Sequence, residues 1–296
     1  MTGPAVTEGV ANAASVIASK VSISAVANPS GTFILNAAAP WRYLSTAPAV
    51  RGQSYPDQNY VVPNNISASF PAGSIVIEFE FDGQQFEFST KGFAGSAYRL
   101  MVYGQYVSAT PTAGPGAAGS LYLTLVNFGS RATRRIRIEG SATFYFGGLN
   151  IGPNDTPPWP SSLPVGPRVV VMGDSFVGGT GASGATVNAW FDTMAKLLGW
   201  RDVWATGLGG TGYLATGAFV KFRDRVVADV INQSPDIVVV AGGINDTAFT
   251  KAQIQTEAGL LYAQIRAALP NVKLIAVGPW VPSGSPASAP KTAANI

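Results

Sequence analysis

The sequence predicts two architectures in series: an antiparallel β-sandwich over residues 66–150, then an α/β domain with a doubly wound parallel sheet over residues 168–296. Three observations carry this reading. Apolar residues recur with period two between residues 66 and 147, the repeat of a strand with one buried face. After residue 168, short runs that are nearly all apolar alternate with stretches of helical period, the pattern of strands buried on both faces and crossover helices. Between the two, GPNDTPPWPSSLPVGP places six prolines in sixteen residues, and residues 151–167 read as a stiff linker.

Composition sets the bounds. A chain of 296 residues with 47% hydrophobic content can bury two cores. Only 12% of residues are charged, while Gly (34) and Pro (21) are plentiful, which suits a loop-rich β protein or an extracellular assembly. The net charge of +3, from 19 basic and 16 acidic residues, is too small to point to nucleic acid. The sequence has no cysteine and no histidine, which excludes disulfides, thiolate nucleophiles and Cys/His zinc sites. No cofactor or metal is expected.

Residues 1–65 read as an N-terminal arm, partly helical. Val6, Val10, Ala13 or Ala14, Ile17 and Val21 recur at spacings of three and four, a short apolar stripe. Such a helix either packs on its own body or serves as an oligomerising or docking arm. The first 25 residues have neither the basic stretch nor the apolar stretch of a secretion signal, and no run of about 18 apolar residues suggests a membrane span.

In the sandwich, Ile75, Ile77, Phe79 and Phe81 alternate with Val76, Glu78 and Glu80, and Phe86 and Phe88 alternate with Gln85 and Glu87. Asp82-Gly83 between them predicts a type I′ hairpin turn. Further strands are expected at Tyr98 to Val107, Leu121 to Val126, Arg134 to Glu139 and Thr143 to Phe146. Arg131, Arg134, Arg135 and Arg137 read either as solvated strand-face cations or as a contact for an acidic polymer.

In the α/β region, strands are expected at Arg168 to Met172, Asp202 to Ala205, Asp236 to Ala241 and Val272 to Val277, in the sheet order 2-1-3-4. Helix faces are marked by Trp190, Met194 and Leu197, by Phe219, Phe222, Val226 and Val230, and by Ile254, Ala258, Leu261, Ile265 and Leu269. Thr250 with Gln253 forms a capping box before the last of these. Three polar, glycine-rich segments follow the carboxyl ends of three strands: Gly173-Asp174-Ser175, Gly207-Leu208-Gly209-Gly210 and Gly243-Ile244-Asn245-Asp246. In a parallel sheet these ends are neighbours, so a serine at a strand-to-helix turn, backbone N–H groups and an amide side chain can converge on a developing oxyanion. That constellation suits acyl transfer. The same glycines and Asp/Asn residues also serve as ordinary turn and cap residues.

GDSFVGG at 173–179, the glycine-rich turn ending at Gly210 and GIND at 243–246 resemble the first three blocks of the SGNH hydrolases, the GDSL esterases. The resemblance implies a flavodoxin-like sheet with Ser175 as nucleophile. It also implies an oxyanion hole made by the Ser175 and Gly210 N–H groups and the Asn245 side chain, with Gly173, Asp174, Gly243 and Asp246 in support. Two features depart from the family. Ala205 stands where the family often has Asn, and the block bearing Asp-x-x-His does not occur, since the 16 residues after Trp280 contain neither Asp nor His. The chain is therefore expected to be a fragment of a longer product, its last strand an uncovered edge. A rival G-x-G-x-x-G at Gly179 to Gly184 begins seven residues beyond its strand, and Asp202 falls at the wrong end of the next one for a dinucleotide site.

The order of the two domains is similar to two-domain carbohydrate esterases and to modular phage tail proteins. The expected function is a serine esterase acting on an acylated polysaccharide or cell-envelope ester, weak for lack of histidine, and located outside a cell or on a virion. The arm would bind a second copy or virion proteins. The alternative is a structural or receptor-binding component with a non-catalytic hydrolase-like domain.

Overall fold

The structure is a computed structural model that describes residues 5–10, 41–46, 49–50, 60–64, 73–114, 121–152, 155–180 and 185–279. The chain divides into two compact units. One comprises Met1–Asn64 with Ser74–Pro164, the other Asn65–Gly73 with Val165–Ile296.

The first unit is an antiparallel assembly of β1 (Ala5–Val10), β2 (Arg42–Leu44), β3 (Ala49–Val50), β4 (Val61–Val62), β5 (Ile75–Lys91), β6 (Ala97–Val102), β7 (Gln105–Tyr106), β8 (Thr112–Ala113), β9 (Leu121–Gly140), β10 (Tyr145–Ile151) and β11 (Trp159–Pro160). Its main path runs β3-β4-β10-β5-β9-β6-β7. The long strands β5 and β9 pair with each other along most of their length and form its spine.

The hairpin expected at Asp82-Gly83 does not form. β5 continues through these residues, which pair with Thr133 and Ala132 of β9, and the register shifts between Gly83 and Gln85. A type I′ turn needs positive φ at both central residues, and neither Asp82 nor Gly83 has it. The shift explains the misleading signal. The apolar residues with no exposure fall at odd positions up to Phe81 and at even positions from Phe86, and the bulge turns both sets into one core, where all six of Ile75, Ile77, Phe79, Phe81, Phe86 and Phe88 are fully buried. The tight hairpin turn lies instead at Tyr103-Gly104, φ 52° and 81°, between Val102 and Gln105.

Two other expectations for this region differ. Val6 and Val10 lie on β1, paired antiparallel with Val126 and Tyr122 of β9, where a helix was expected; Ala13, Ala14, Ile17 and Val21 fall outside the described residues. The segment read as a linker is partly tied down. Trp159 and Pro160 pair with Glu80 and Phe79, and the Glu80 carboxylate accepts from Trp159 Nε1 (3.1 Å) and from Ser162 N (2.9 Å) and Oγ (2.6 Å). Of the arginine cluster, Arg131 pairs with Asp82 and Asp155, Arg137 pairs with Glu78 and Glu139, and Arg134 stacks 4.2 Å over Phe128, so these cations are engaged on the strand face.

The second unit contains a four-stranded parallel sheet of β12 (Arg168–Gly173), β13 (Asp202–Gly207), β14 (Ile237–Ala241) and β15 (Lys273–Val277), in the expected order β13-β12-β14-β15. Its helices are α1 (Trp190–Leu197), α2 (Phe222–Asp229) and α3 (Lys251–Ala268). Alternate residues of the central strands feed two cores. Val170, Met172, Val238 and Val240 pack with Phe222 and Val226 of α2 and with Ile254, Leu261 and Ile265 of α3. Val169, Val171 and Val239 pack on the other face with Phe191 and Ala195 of α1. This is why both strands read as unbroken apolar runs. The capping box at Thr250 and Gln253 is present. Phe219 lies outside α2 and is 40% exposed. Among the described residues no helix is long and apolar enough to cross a membrane.

Candidate active site

The carboxyl ends of β12, β13 and β14 carry the three glycine-rich segments. β12 stops at Gly173, and the chain enters a run of tight turns in which the Asp174 carbonyl accepts from the Val177 (3.2 Å) and Gly178 (3.0 Å) N–H groups. Ser175 is half-buried. The helix expected directly behind it is absent from the described residues: Ser175 to Thr180 run as turns, and α1 begins only at Trp190.

The second segment packs against the first. Leu208 N–H donates to the Gly173 carbonyl (3.1 Å), and a Cβ on Gly209 would lie 3.7 Å from Ser175 Cβ. Gly209 is therefore the neighbour of the serine side chain, while a Cβ on Gly210 would meet Gly217. Gly207 is dictated by space, because any Cβ there would come within 2.1 Å of Gly178 N.

The third segment clamps the loop that follows the second. Asn245 Nδ2 donates to the Thr211 carbonyl (2.9 Å), one residue beyond Gly210. Asp246, fully buried, accepts backbone N–H bonds from Tyr213 (2.9 Å), Leu214 (2.9 Å) and Ala215 (2.7 Å). This approach requires Gly212, whose Cβ would sit 2.4 Å from Asp246 Oδ2. Gly243 takes φ 114°, a conformation that favours glycine, at the entry to the turn holding Asn245 and Asp246.

Charge is concentrated under this end of the sheet. Asp174 is buried, and its Oδ1 accepts from Phe176 N–H (2.9 Å). Burial raises its pKa above the ordinary carboxylate value, and the nearby Asp246 adds to the rise. Burial, with Tyr262 and Asp246 alongside, also pushes the Tyr213 phenol up.

Sequence reasoning missed the largest buried polar group here, the Arg225 side chain of α2, which is 2% exposed. Burial lowers its pKa, opposed by its bond to Asp229. A signal was available in the sequence: Arg225 and Asp229 stand four apart beside the apolar face of Phe222 and Val226.

The structure thus brings Ser175, Gly173, Asp174, Gly210, Gly243, Asn245 and Asp246 to neighbouring ends of three parallel strands. No group of three or more His, Cys, Asp or Glu side chains suited to a metal occurs among the described residues.

Residues 171–296 match the family model for GDSL-like lipases and acylhydrolases, and the C-terminal unit is a domain of that family. The whole fold is similar to a family two carbohydrate esterase from Cellvibrio japonicus (TM-score 0.65, 13% identity, covering 90% of this chain and 83% of that one). It is also similar to an acetyl xylan esterase from the rumen bacterium Butyrivibrio proteoclasticus (TM-score 0.50, 13% identity, 93% and 80% covered). A third similar structure is a salicylyl-acyltransferase from a tetracycline biosynthetic pathway (TM-score 0.52, 12% identity, 89% and 78% covered). At these identities the likeness is one of fold. No curated protein sequence matches this chain.

Proposed function

We propose that the C-terminal unit is a serine acylhydrolase for O-acylated glycans, with Ser175 as nucleophile and an oxyanion hole formed by the Ser175 N–H, the Gly210 N–H and the Asn245 side chain. One observation carries this reading: the segments bearing all three lie at adjacent strand ends, with Gly209 against Ser175 and Asn245 bonded to Thr211. An amide has two N–H donors, so the bond to Thr211 orients Asn245 Nδ2 and leaves its second N–H for the substrate oxygen. The family match of residues 171–296 supports the reaction class. The names of the similar folds, carbohydrate esterase and acetyl xylan esterase, support a glycan ester as substrate.

In this reaction the Ser175 oxygen adds to the ester carbonyl carbon, and the carbonyl oxygen becomes an oxyanion. Collapse breaks the bond to the glycan oxygen, which leaves with a proton as an alcohol, and water then releases the acid from the acyl-serine. A base must take the serine proton during attack, and such help is worth roughly 10² to 10⁴-fold. The 296 residues contain no imidazole. The chain alone therefore turns over slowly, and a base supplied from outside restores the rate.

Imidazole in solution tests this. Acetate release from O-acetylated xylo-oligosaccharide is measured for the native chain and for Ser175→Ala, with and without imidazole. The native chain should gain at least about tenfold over the variant when imidazole is present. Equal rates for the two proteins at every imidazole concentration would remove Ser175 from the mechanism. The missing imidazole also favours a second reading, a non-catalytic structural or receptor-binding component, for example of a virion. On that reading the chain binds the acetylated oligosaccharide and releases no acetate with or without imidazole.

A further inference from the structure

The Arg225 guanidinium sits at one point of the fold with an unusual set of partners. Its Nη2 donates to the Gly173 carbonyl (2.7 Å), the last of β12 and two residues before Ser175. Its Nη1 donates to the Thr206 carbonyl (2.7 Å), next to the end of β13 and three residues before Gly209. The same Nη1 meets Asp229 Oδ2 (2.8 Å) one helical turn along α2, and both side chains are essentially excluded from solvent. The Gly173 carbonyl in turn accepts from Leu208 N–H, so a single oxygen receives both the arginine and the glycine-rich turn.

Burying a guanidinium and a carboxylate is expensive, and an apolar pair of similar volume often stabilises a core as well or better. A planar fork does what an apolar side chain cannot, because it fixes two acceptors at once in a set direction. Its two carbonyl acceptors here belong to the two strands whose turns carry the nucleophile and the proposed oxyanion donor. We propose that Arg225, held by Asp229, is a positioning residue that sets the spacing of the Ser175 turn and the Gly209-Gly210 turn. Its role in acyl transfer rests on the function proposed above. The physical linkage between the two turns does not.

Leu208 N–H is the reporter, because its acceptor is the oxygen that Arg225 holds. Amide hydrogen exchange is followed by mass spectrometry in the native 296-residue chain and in Arg225→Met and Arg225→Lys. In Arg225→Met, peptides covering 174–180 and 207–212 should exchange about tenfold faster, while peptides from α3 and β14 keep their native rates. Arg225→Lys retains the charge without the planar fork and should fall between the two. It also provides the measurement if the methionine variant does not fold. Imidazole-dependent acylation of Ser175 should fall with the same ranking, through kcat and not KM.

Unchanged exchange in both turns of a folded Arg225 variant would overturn the proposal, as would a uniform increase across the whole second unit. Faster exchange confined to the turns, in a protein whose Ser175 never acylates, would sustain the positioning role and sink the esterase reading. The two failures are therefore distinguishable.

Discussion

β14 and β15 lie side by side in one parallel sheet, yet all five residues of β14 are buried, whereas Lys273, Ile275 and Ala276 of β15 are exposed. The first is packed by α1 on one face and by α2 and α3 on the other; the second is paired along one edge. The polar groups of the candidate site follow the same division. Arg225, Asp174 and Asp246 are all buried and all act at β12, β13 and β14 or the turns leaving them. The site therefore depends on β12, β13 and β14 and on the charges buried beside them, and little on β15.

Removing a buried charge that carries three backbone hydrogen bonds should do the greatest damage. Asp246→Ala would strip acceptors from the Tyr213, Leu214 and Ala215 N–H groups, and a cost of about 3 to 5 kcal/mol in urea unfolding is expected. A loss under about 1 kcal/mol would show that the loop finds other acceptors. Two glycines two positions apart give the next contrast. Gly207→Ala drives a Cβ into the backbone at Gly178, with an expected cost of about 3 kcal/mol. Gly209→Ala meets only Ser175 Cβ at ordinary contact distance and should stay within about 0.5 kcal/mol. Comparable melting temperatures for the two variants would contradict the interlock.

The strand comparison can be tested directly. Val239→Ala, in the core of β14, should cost about 2 kcal/mol, and Ile275→Ala, 41% exposed on β15, less than about 1. Similar losses by urea titration would mean that the edge carries as much packing as the centre.

The smallest effect concerns pH. The Asp174 pKa is raised in the folded protein, chiefly by burial, so between the unfolded and folded values the native state binds more protons than the unfolded one. Stability from this group is then lost as pH rises through that window, and the buried charge is a burden above it. Asp174→Asn keeps the Oδ1 acceptor for Phe176 N–H without the charge. It should melt higher than the native protein near neutral pH, and the gap should close as pH falls to the carboxylate range. A native protein that melts higher at every pH would refute this sign.

Much of the second unit was legible because its signals are local. A buried strand, its turn and its helix are encoded within about thirty residues, and right-handed crossovers then fix the order of the sheet. The first unit is organised by β5 and β9, whose partners lie between 30 (Lys91 and Leu121) and 65 (Ile75 and Gly140) residues apart, and a change of phase at Phe81 to Phe86 reads alike for a hairpin and for a bulge. The turn at Tyr103-Gly104 was hidden because tyrosine is a poor marker of positive φ. At the site, Ser175, Gly210 and Asn245 stood out as motif residues at strand ends, whereas the i, i+4 pair of Arg225 and Asp229 marks only a charged pair on a helix, and the backbone carbonyls that Arg225 reaches at Gly173 and Thr206 leave no trace in the side-chain pattern.

The central claim is that Ser175 is a nucleophile in an assembled site that needs only a base. The native chain, Ser175→Ala and Asn245→Ala are each incubated with p-nitrophenyl acetate, with and without imidazole, and digested for mass spectrometric mapping of acetyl groups. The account predicts one imidazole-dependent acetyl on the peptide holding Ser175 in the native chain, none there in Ser175→Ala, and formation slowed by about 10² to 10³-fold in Asn245→Ala. Acetylation confined to lysines, with the Ser175 peptide unmodified in the native chain, would contradict it.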